Sequence, residues 1–189
     1  MVKNNHITKR TLHTGEFLAL IREGHWEYAH RVKASGSAII VAVTDDEKLL
    51  LVEQYRIPLH ARTIELPAGI IGDEPKNGDE KHTDAARREL LEETGFEAGK
   101  IEPLMTGAAS GGLSSELITL FLASGLKRVH AGGGVDDENI VVHEVPLDSA
   151  HEWLEAKAVE GLIIDPKNYG ALYFIQRHRE RTARSRRKK

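Results

Sequence analysis

The 189-residue chain contains no cysteine, so neither a disulfide framework nor thiolate chemistry contributes to its fold or function. Aromatic residues are sparse, with two Trp, four Tyr and four Phe, and none lies in the basic C-terminal stretch, which therefore has no ring to stack on a base. No apolar run reaches the length of a membrane span, and Met1-Val-Lys-Asn-Asn is not followed by an apolar signal region. A soluble cytoplasmic protein with no membrane partner is expected. Neither G-x-x-x-x-G-K-[ST] nor a helix-opening G-x-G-x-x-G occurs, which excludes two phosphate-cradling glycine loops. None of the ten His is paired at the spacing of a zinc site, and no internal repeat or heptad is present. The net charge of −3 divides into +7 on residues 177–189 and −10 on residues 1–176. An acidic body argues against a nucleic-acid partner.

What the chain does have is concentrated in residues 80–96. Ala85, Ala86, Leu90 and Leu91 recur at helical spacing, Thr83 can cap the start with Asp84 in the first turn, and Gly95 suits a left-handed stop. On this helix Glu89, Glu92 and Glu93 stand at i, i+3 and i+4, so their carboxylates emerge on one face. Exposed, each like-charge pair costs about 0.2–0.5 kcal/mol, and an Arg88–Glu92 pair returns a similar amount. In a cleft of effective dielectric near 20, each pair at about 5 Å repels by roughly 3 kcal/mol, more than one surface ion pair offsets. The face is then either a solvated helix surface or a seat for a hard divalent cation, Mg²⁺ or Mn²⁺ before Zn²⁺.

Arg88-Glu89-Leu90-Leu91-Glu92-Glu93-Thr94-Gly95-Phe96 resembles the second half of the Nudix box, G-x5-E-x7-R-E-U-x-E-E-x-G-U, and Glu80 stands eight residues before Arg88 as that pattern requires. The box glycine would fall at position 74, which is Glu74; Gly69, in Glu65-Leu66-Pro67-Ala68-Gly69, is the better candidate, with Ile70 to Asp79 a loop about five residues longer than the pattern. The resemblance implies a metal-dependent hydrolase in which Glu89, Glu92 and Glu93 hold Mg²⁺ or Mn²⁺ together with the carbonyl of Ala68, while Gly69, Glu80, Arg88 and Gly95 shape the box. A backbone carbonyl is a suitable hard ligand.

Upstream, the alternating stretches 16–22 and 26–32, joined at Gly24, read as a hairpin, which is too small to be stable alone and must pack on something. Ser37–Thr44 and Lys48–Tyr55 are apolar, β-branched-rich runs separated by Asp45-Asp46-Glu47, and read as buried strands about a tight turn. Beyond the box, the chain is similar to the ADP-ribose pyrophosphatase branch of the Nudix family. In that branch the N-terminal strands form a small sheet exchanged in a homodimer, and Trp26, Glu27 and Arg31 match a segment whose aromatic stacks on the nucleobase. As a residue, Trp26 reads equally well as a core or interface side chain. Arg56 matches an arginine that approaches the substrate phosphates, for which paired donors are apt; the alternative is a surface salt bridge. Glu116 matches an acid of a Ser-Pro-Gly-x-Ser-x-Glu segment, with Gly111 in place of the Pro; the resemblance implies contact with substrate or water, and the alternative is an exposed strand-edge acid.

Gly132-Gly-Gly-Val-Asp136-Asp-Glu138-Asn139 precedes a strand at 140–146, and a glycine-rich loop carrying acids suits delivery of a general base. Related enzymes take the base, or a further ligand, from this loop; Glu138 is the first choice and Asp136 the second. The loop could equally be a solvated turn. Helices are expected over 149–158 and from about Pro166 past Arg177, with residues 177–189 a solvated end capable at most of weak, salt-sensitive contact with polyanions. Strands alternating with helices indicate an α/β domain. The resemblance makes it an α/β/α sandwich at 36–176, with an N-terminal β-sheet region at 1–35 and a basic tail at 177–189. The reaction implied is hydrolysis of a nucleoside diphosphate sugar, with ADP-ribose giving AMP and ribose 5-phosphate. A GDP-mannose hydrolase of the same fold, a non-catalytic ADP-ribose sensor and an RNA cap-removing enzyme are the alternatives, the last opposed by the acidic body.

Overall fold

The computed structural model describes residues 8–72, 81–134 and 139–186. Its strands are β1 (Lys9–Thr14), β2 (Leu18–Glu23), β3 (Trp26–Arg31), β4 (Gly36–Ala42), β5 (Lys48–Arg56), β6 (Ala61–Glu65), β7 (Ala68–Ile71), β8 (Phe96–Ala108), β9 (Leu117–Arg128), β10 (Val141–Pro146) and β11 (Ile163–Ile164). Three α-helices, α1 (His82–Thr94), α2 (Ala150–Val159) and α3 (Lys167–Arg186), complete them. The strands form three sheets, ordered β1-β2-β3, β10-β5-β6-β11 and β7-β4-β9-β8.

The unbroken apolar runs of β4 and β5 follow from burial on two faces. In β4, Ala38, Ile40 and Ala42 join Ala85, Ala86 and Leu90 of α1 in one core, while Ile39 and Val41 join Leu154 of α2 and Ala171 and Ile175 of α3 in another. In β5, Leu50 goes to the first core and Leu49 and Leu51 to the second. The mixed sheets thus lie between α1 on one side and α2 with α3 on the other, the α/β/α layering expected. Among the described residues no helix is long and apolar enough to cross a membrane.

The N-terminal strands pair as the expected hairpin, with Glu23 opposite Trp26, and gain a third strand, β1. Ala19 and Ile21 of β2 are buried, whereas Leu18 and Leu20 on its other face are exposed beside Leu12 and Phe17. This leaves an apolar face open to solvent.

One expectation needs correcting. Thr83 does not cap α1: Lys81 is the N-cap, in extended conformation and without a side-chain cap bond, and Thr83 sits one residue inside the helix, where its hydroxyl is past the capping position. Asp84 does lie in the first turn. Residues 177–186 continue α3, as the helix expected to run past Arg177 does, and their Arg, Glu and Ala are good helix formers. Arg177 pairs with Glu180 on the helix and Arg179 reaches Glu47, yet residues 177–184 remain largely exposed.

Candidate active site

Helix α1 supplies the acids. Its C-terminus is closed by Gly95 at φ 75°, with the Gly95 N–H donating to the Leu91 carbonyl. Buried Ala85, Ala86 and Leu90 fix the rotation of the helix, and that rotation turns Glu89 and Glu93 toward the start of β7, with Glu92 one turn along the same face. Glu93 is only 5% exposed, and its Oε2 accepts from the Ala68 N–H at 2.9 Å. The Arg88 guanidinium donates to Glu89 Oε1 at 2.7 Å and to Glu92 Oε2 at 3.1 Å. Two of the three carboxylates thus share one cation, which offsets the repulsion that their spacing imposes.

Gly69 is required by contact. A Cβ built on it would lie 1.8 Å from Glu89 Cδ and 2.0 Å from its Oε1. The obstacle is the far end of a side chain, so Gly69→Ala is expected to leave the fold intact and displace the Glu89 carboxylate. Circular dichroism should stay native while metal-dependent turnover falls by at least about tenfold, an amount typical of a disturbed ligand shell.

Beside this helix lies a cleft of about 270 Å³, whose lining includes Arg31, Arg56, Glu65, Ala68, Gly69 and Glu116. The sequence reading nominated five of these. Arg31 donates to Glu116 at 2.7 Å, and Ser37 donates to the same carboxylate oxygen at 2.5 Å, so Glu116 ties β3 to β4 at the cleft wall. Burial pushes the Glu116 carboxyl up, but the hydrogen bonds from Arg31 and Ser37 outweigh it and hold the pKa below the ordinary glutamate range. Arg56 donates from Nε and Nη2 to the two oxygens of Glu65 at 2.8 and 2.6 Å, an ion pair at the cleft wall. Sequence reasoning missed Ser37, Glu65 and Lys167, which is also in the lining and pairs with Asp165. Glu65 was legible only as the residue four before Gly69; nothing local marks the other two.

Trp26 and Arg31 lie at opposite ends of β3 and do not meet. Trp26 is 53% exposed in a separate hollow of about 370 Å³, shared with Tyr28, Gly111, Gly112, Ser114 and Ser115. The segment 110–115 is stitched to β3: Ala29 N–H donates to the Leu113 carbonyl and Ser115 N–H to the Ala29 carbonyl. The same connection therefore walls the hollow and leads through Glu116 into the cleft. Glu27 lines neither space and pairs with Arg22.

Glu80, Asp136 and Glu138 lie outside the described residues, as does most of the long loop after Gly69. Of the residues flanking 135–138, those before it hang from α1, with Gly133 N–H donating to the Glu93 carbonyl at 2.9 Å and Gly134 N–H to the Glu92 carbonyl at 3.1 Å, while Ile140 N–H after it donates to the Gly133 carbonyl at 3.2 Å.

The donors offered along α1 and β7 are carboxylate and backbone oxygen, the chemistry of a hard divalent ion. Among the described residues no three His, Asp or Glu side chains converge closely enough to hold a metal ion by themselves. An open set of few carboxylates suits an ion that keeps waters and takes further ligands from a phosphate.

Comparison with known proteins agrees with this geometry. The NUDIX domain family matches residues 34–172. Over 148 residues, covering 77% of this chain and 74% of each relative, the chain is 34% identical to the methanol dehydrogenase activator of Bacillus methanolicus and to the ADP-ribose pyrophosphatase of Bacillus subtilis. It is 33% identical over 153 residues to the GDP-mannose pyrophosphatase of Escherichia coli, covering 76% of this chain and 74% of that one. A crystal structure of an ADP compounds hydrolase superposes with a TM-score of 0.71 at 21% identity, covering 94% of both chains, a likeness of fold. The chain belongs to the Nudix family.

Proposed function

We propose that this protein hydrolyses the pyrophosphate bond of nucleoside diphosphate sugars, with ADP-ribose, cleaved to AMP and ribose 5-phosphate, as the first substrate to test and GDP-mannose as the second. One observation carries the reading: a cleft lined by Arg31, Arg56 and Lys167 opens beside the acid face of α1 at Ala68 and Gly69. Cations for a diphosphate and oxygen ligands for a metal are thereby neighbours. The relatives named for ADP-ribose and GDP-mannose pyrophosphatase activity support the same substrate class.

Glu89, Glu92, Glu93 and the Ala68 carbonyl would hold Mg²⁺ or Mn²⁺. When bound, such an ion neutralises phosphate charge and acidifies water. The protein's own part is positional and acid–base. Arg31 and Arg56 hold the diphosphate oxygens, and the long stem of Arg56 keeps its guanidinium at the cleft wall. A carboxylate, assigned to Glu138 with Asp136 second, takes the proton from the attacking water. The water oxygen bonds to phosphorus as the bridging P–O bond breaks, and the bridging oxygen leaves on the other phosphate. The backbone ties from Gly133 and Gly134 to the Glu93 and Glu92 carbonyls support this assignment, because they fasten the residues that precede 135–138 to the acid helix. A general base contributes about 10²–10⁴-fold, so charge neutralisation supplies much of the rest.

The exposed indole of Trp26 offers its ring to the nucleobase. Base–aromatic stacking is worth about 1–3 kcal/mol, so Trp26→Ala should raise KM for ADP-ribose roughly tenfold with little change in kcat. An unchanged KM would return Trp26 to a packing role. The open apolar face at Leu12, Phe17, Leu18 and Leu20 supports a homodimer built through residues 1–35, with residues 36–176 as the hydrolase unit. Sedimentation of a monomer at micromolar concentration would contradict the dimer. Substrate preference follows from incubating the protein separately with ADP-ribose, GDP-mannose and ATP, each with Mg²⁺, and separating nucleotide products. The reading expects AMP or GMP from a sugar conjugate well ahead of any product from ATP; the reverse order would overturn it.

A further inference from the structure

Arg56 has to lie in an unusual way to meet Glu65. In the β5–β6 ladder Arg56 stands opposite Ala61, Gln54 opposite Thr63, and Val52 opposite Glu65. Glu65 is therefore four residues along the ladder from Arg56, about 13 Å, and the even spacing puts Arg56, Thr63 and Glu65 on one face of the sheet. The arginine bridges that distance by lying along the strands. The fork it ends in is two-pronged, Nε to Oε1 at 2.8 Å and Nη2 to Oε2 at 2.6 Å, and Thr63 Oγ1 donates to Oε1 at 2.5 Å.

The two partners are unequal. The Glu65 side chain is 13% exposed and the Arg56 side chain 42%, so the carboxylate is the anchored member and the guanidinium the one that reaches the cleft. A guanidinium carries five N–H groups, and two are used on Glu65. The other three have no protein acceptor among the described residues. Glu93 and Asp165 attract the guanidinium only at longer range, and Glu65 alone among the described residues hydrogen-bonds it; without Glu65, a long flexible side chain at a strand end would extend into water.

We propose that Glu65 is a positioning residue for phosphate binding, holding the Arg56 guanidinium flat along the β5–β6 face so that its three remaining N–H groups meet the substrate diphosphate. The inference rests on the diphosphate reading given above. It assigns a role to a residue outside the acid helix and says that the arginine is oriented before substrate arrives, so its ordering cost is met on folding. Burial pushes the Glu65 carboxyl up, but the bonds from Arg56 and Thr63 hold it below the ordinary glutamate range, so the pair is charged at neutral pH.

The test is a double-mutant cycle of Glu65→Gln and Arg56→Ala, read in KM and kcat for ADP-ribose and in calorimetric affinity for ADP with Ca²⁺ present. Glu65→Gln should raise KM and weaken ADP binding about tenfold while changing kcat less, as expected for lost uniform binding, and should add nothing in the Arg56→Ala background. Equal losses with and without Arg56, or no loss, would overturn the proposal. If Glu65→Gln fails to fold, Thr63→Val takes its place in the cycle, with a loss of about threefold expected only when Arg56 is present. Absence of wild-type turnover together with a coupled effect on ADP affinity would defeat the substrate reading and retain the role of Glu65. Turnover with additive effects would do the opposite.

Discussion

Glu93→Gln is expected to lower metal-dependent hydrolysis of ADP-ribose by at least about 10²-fold, because even the outer-shell partners of a metal are worth about 10–100-fold. The substitution keeps the size of the side chain and an oxygen that can still accept from the Ala68 N–H, the bond that now spans 2.9 Å. It removes the charge. A buried carboxylate 5% exposed is expensive unless something repays its desolvation, and a divalent ion does so most fully. The variant should therefore fold normally and lose the stabilisation that added Mg²⁺ or Mn²⁺ gives the wild type in thermal denaturation. Retained turnover would mean that the face of α1 does not hold the ion.

The second large effect is on stability, at Gly132. This residue has φ 76°, and a Cβ placed on it would stand 2.4 Å from the Thr94 carbonyl carbon and 2.7 Å from the Glu93 carbonyl oxygen. The approach is reciprocal, since a Cβ on Gly95 would stand 2.2 Å from the His130 carbonyl oxygen. Two backbones cross here, and neither can yield as a side chain would. Gly132→Ala combines left-handed strain of about 1–2 kcal/mol with overpacking of about 1–3 kcal/mol, so a loss of roughly 2–5 kcal/mol is expected. For a domain of this size that corresponds to a Tm lower by roughly 10 °C. Gly170→Ala is the control: it lies within α3 with open space at its Cβ position and should be neutral or slightly stabilising. A Gly132→Ala melt equal to wild type would show that the 129–134 segment is not fastened to α1.

The elements legible in the sequence were those whose pattern is local. Helix α1 showed its apolar stripe and its stop at Gly95, and β4 and β5 showed unbroken apolar runs because both their faces are covered. Strand β8 was harder to see. Its residues Phe96–Ala108 are mostly exposed or half-buried with no alternation, and what makes them a strand is antiparallel pairing with β9 along its whole length, from Phe96↔Arg128 to Ala108↔Leu117. Strands β6 and β7 are short, and β7 is Ala-Gly-Ile-Ile, too brief to carry a period.

The site divides in the same way. Glu89, Glu92 and Glu93 could be nominated because one helix spaces them. Gly69 could be nominated from its neighbours, but the reason for it, the Glu89 carboxylate against its Cα, joins positions twenty residues apart in sequence. Ser37 and Lys167 enter the cleft only because β4 and α3 begin there, and chain order carries no trace of that. Trp26 and Arg31 looked like one unit in the sequence, yet a strand of six residues separates its ends by about 16 Å. The result is two spaces, one beside the indole and one beside the guanidinium.

The central claim is that the acid face of α1 and the cationic cleft together make a metal-dependent pyrophosphohydrolase. Its most direct measurement is the yield of AMP and of ribose 5-phosphate from ADP-ribose, with Mg²⁺ and with chelator. Equal amounts of the two products, formed with Mg²⁺ and abolished by chelator, are predicted. No cleavage with either Mg²⁺ or Mn²⁺, or the same yield in chelator, would contradict the account.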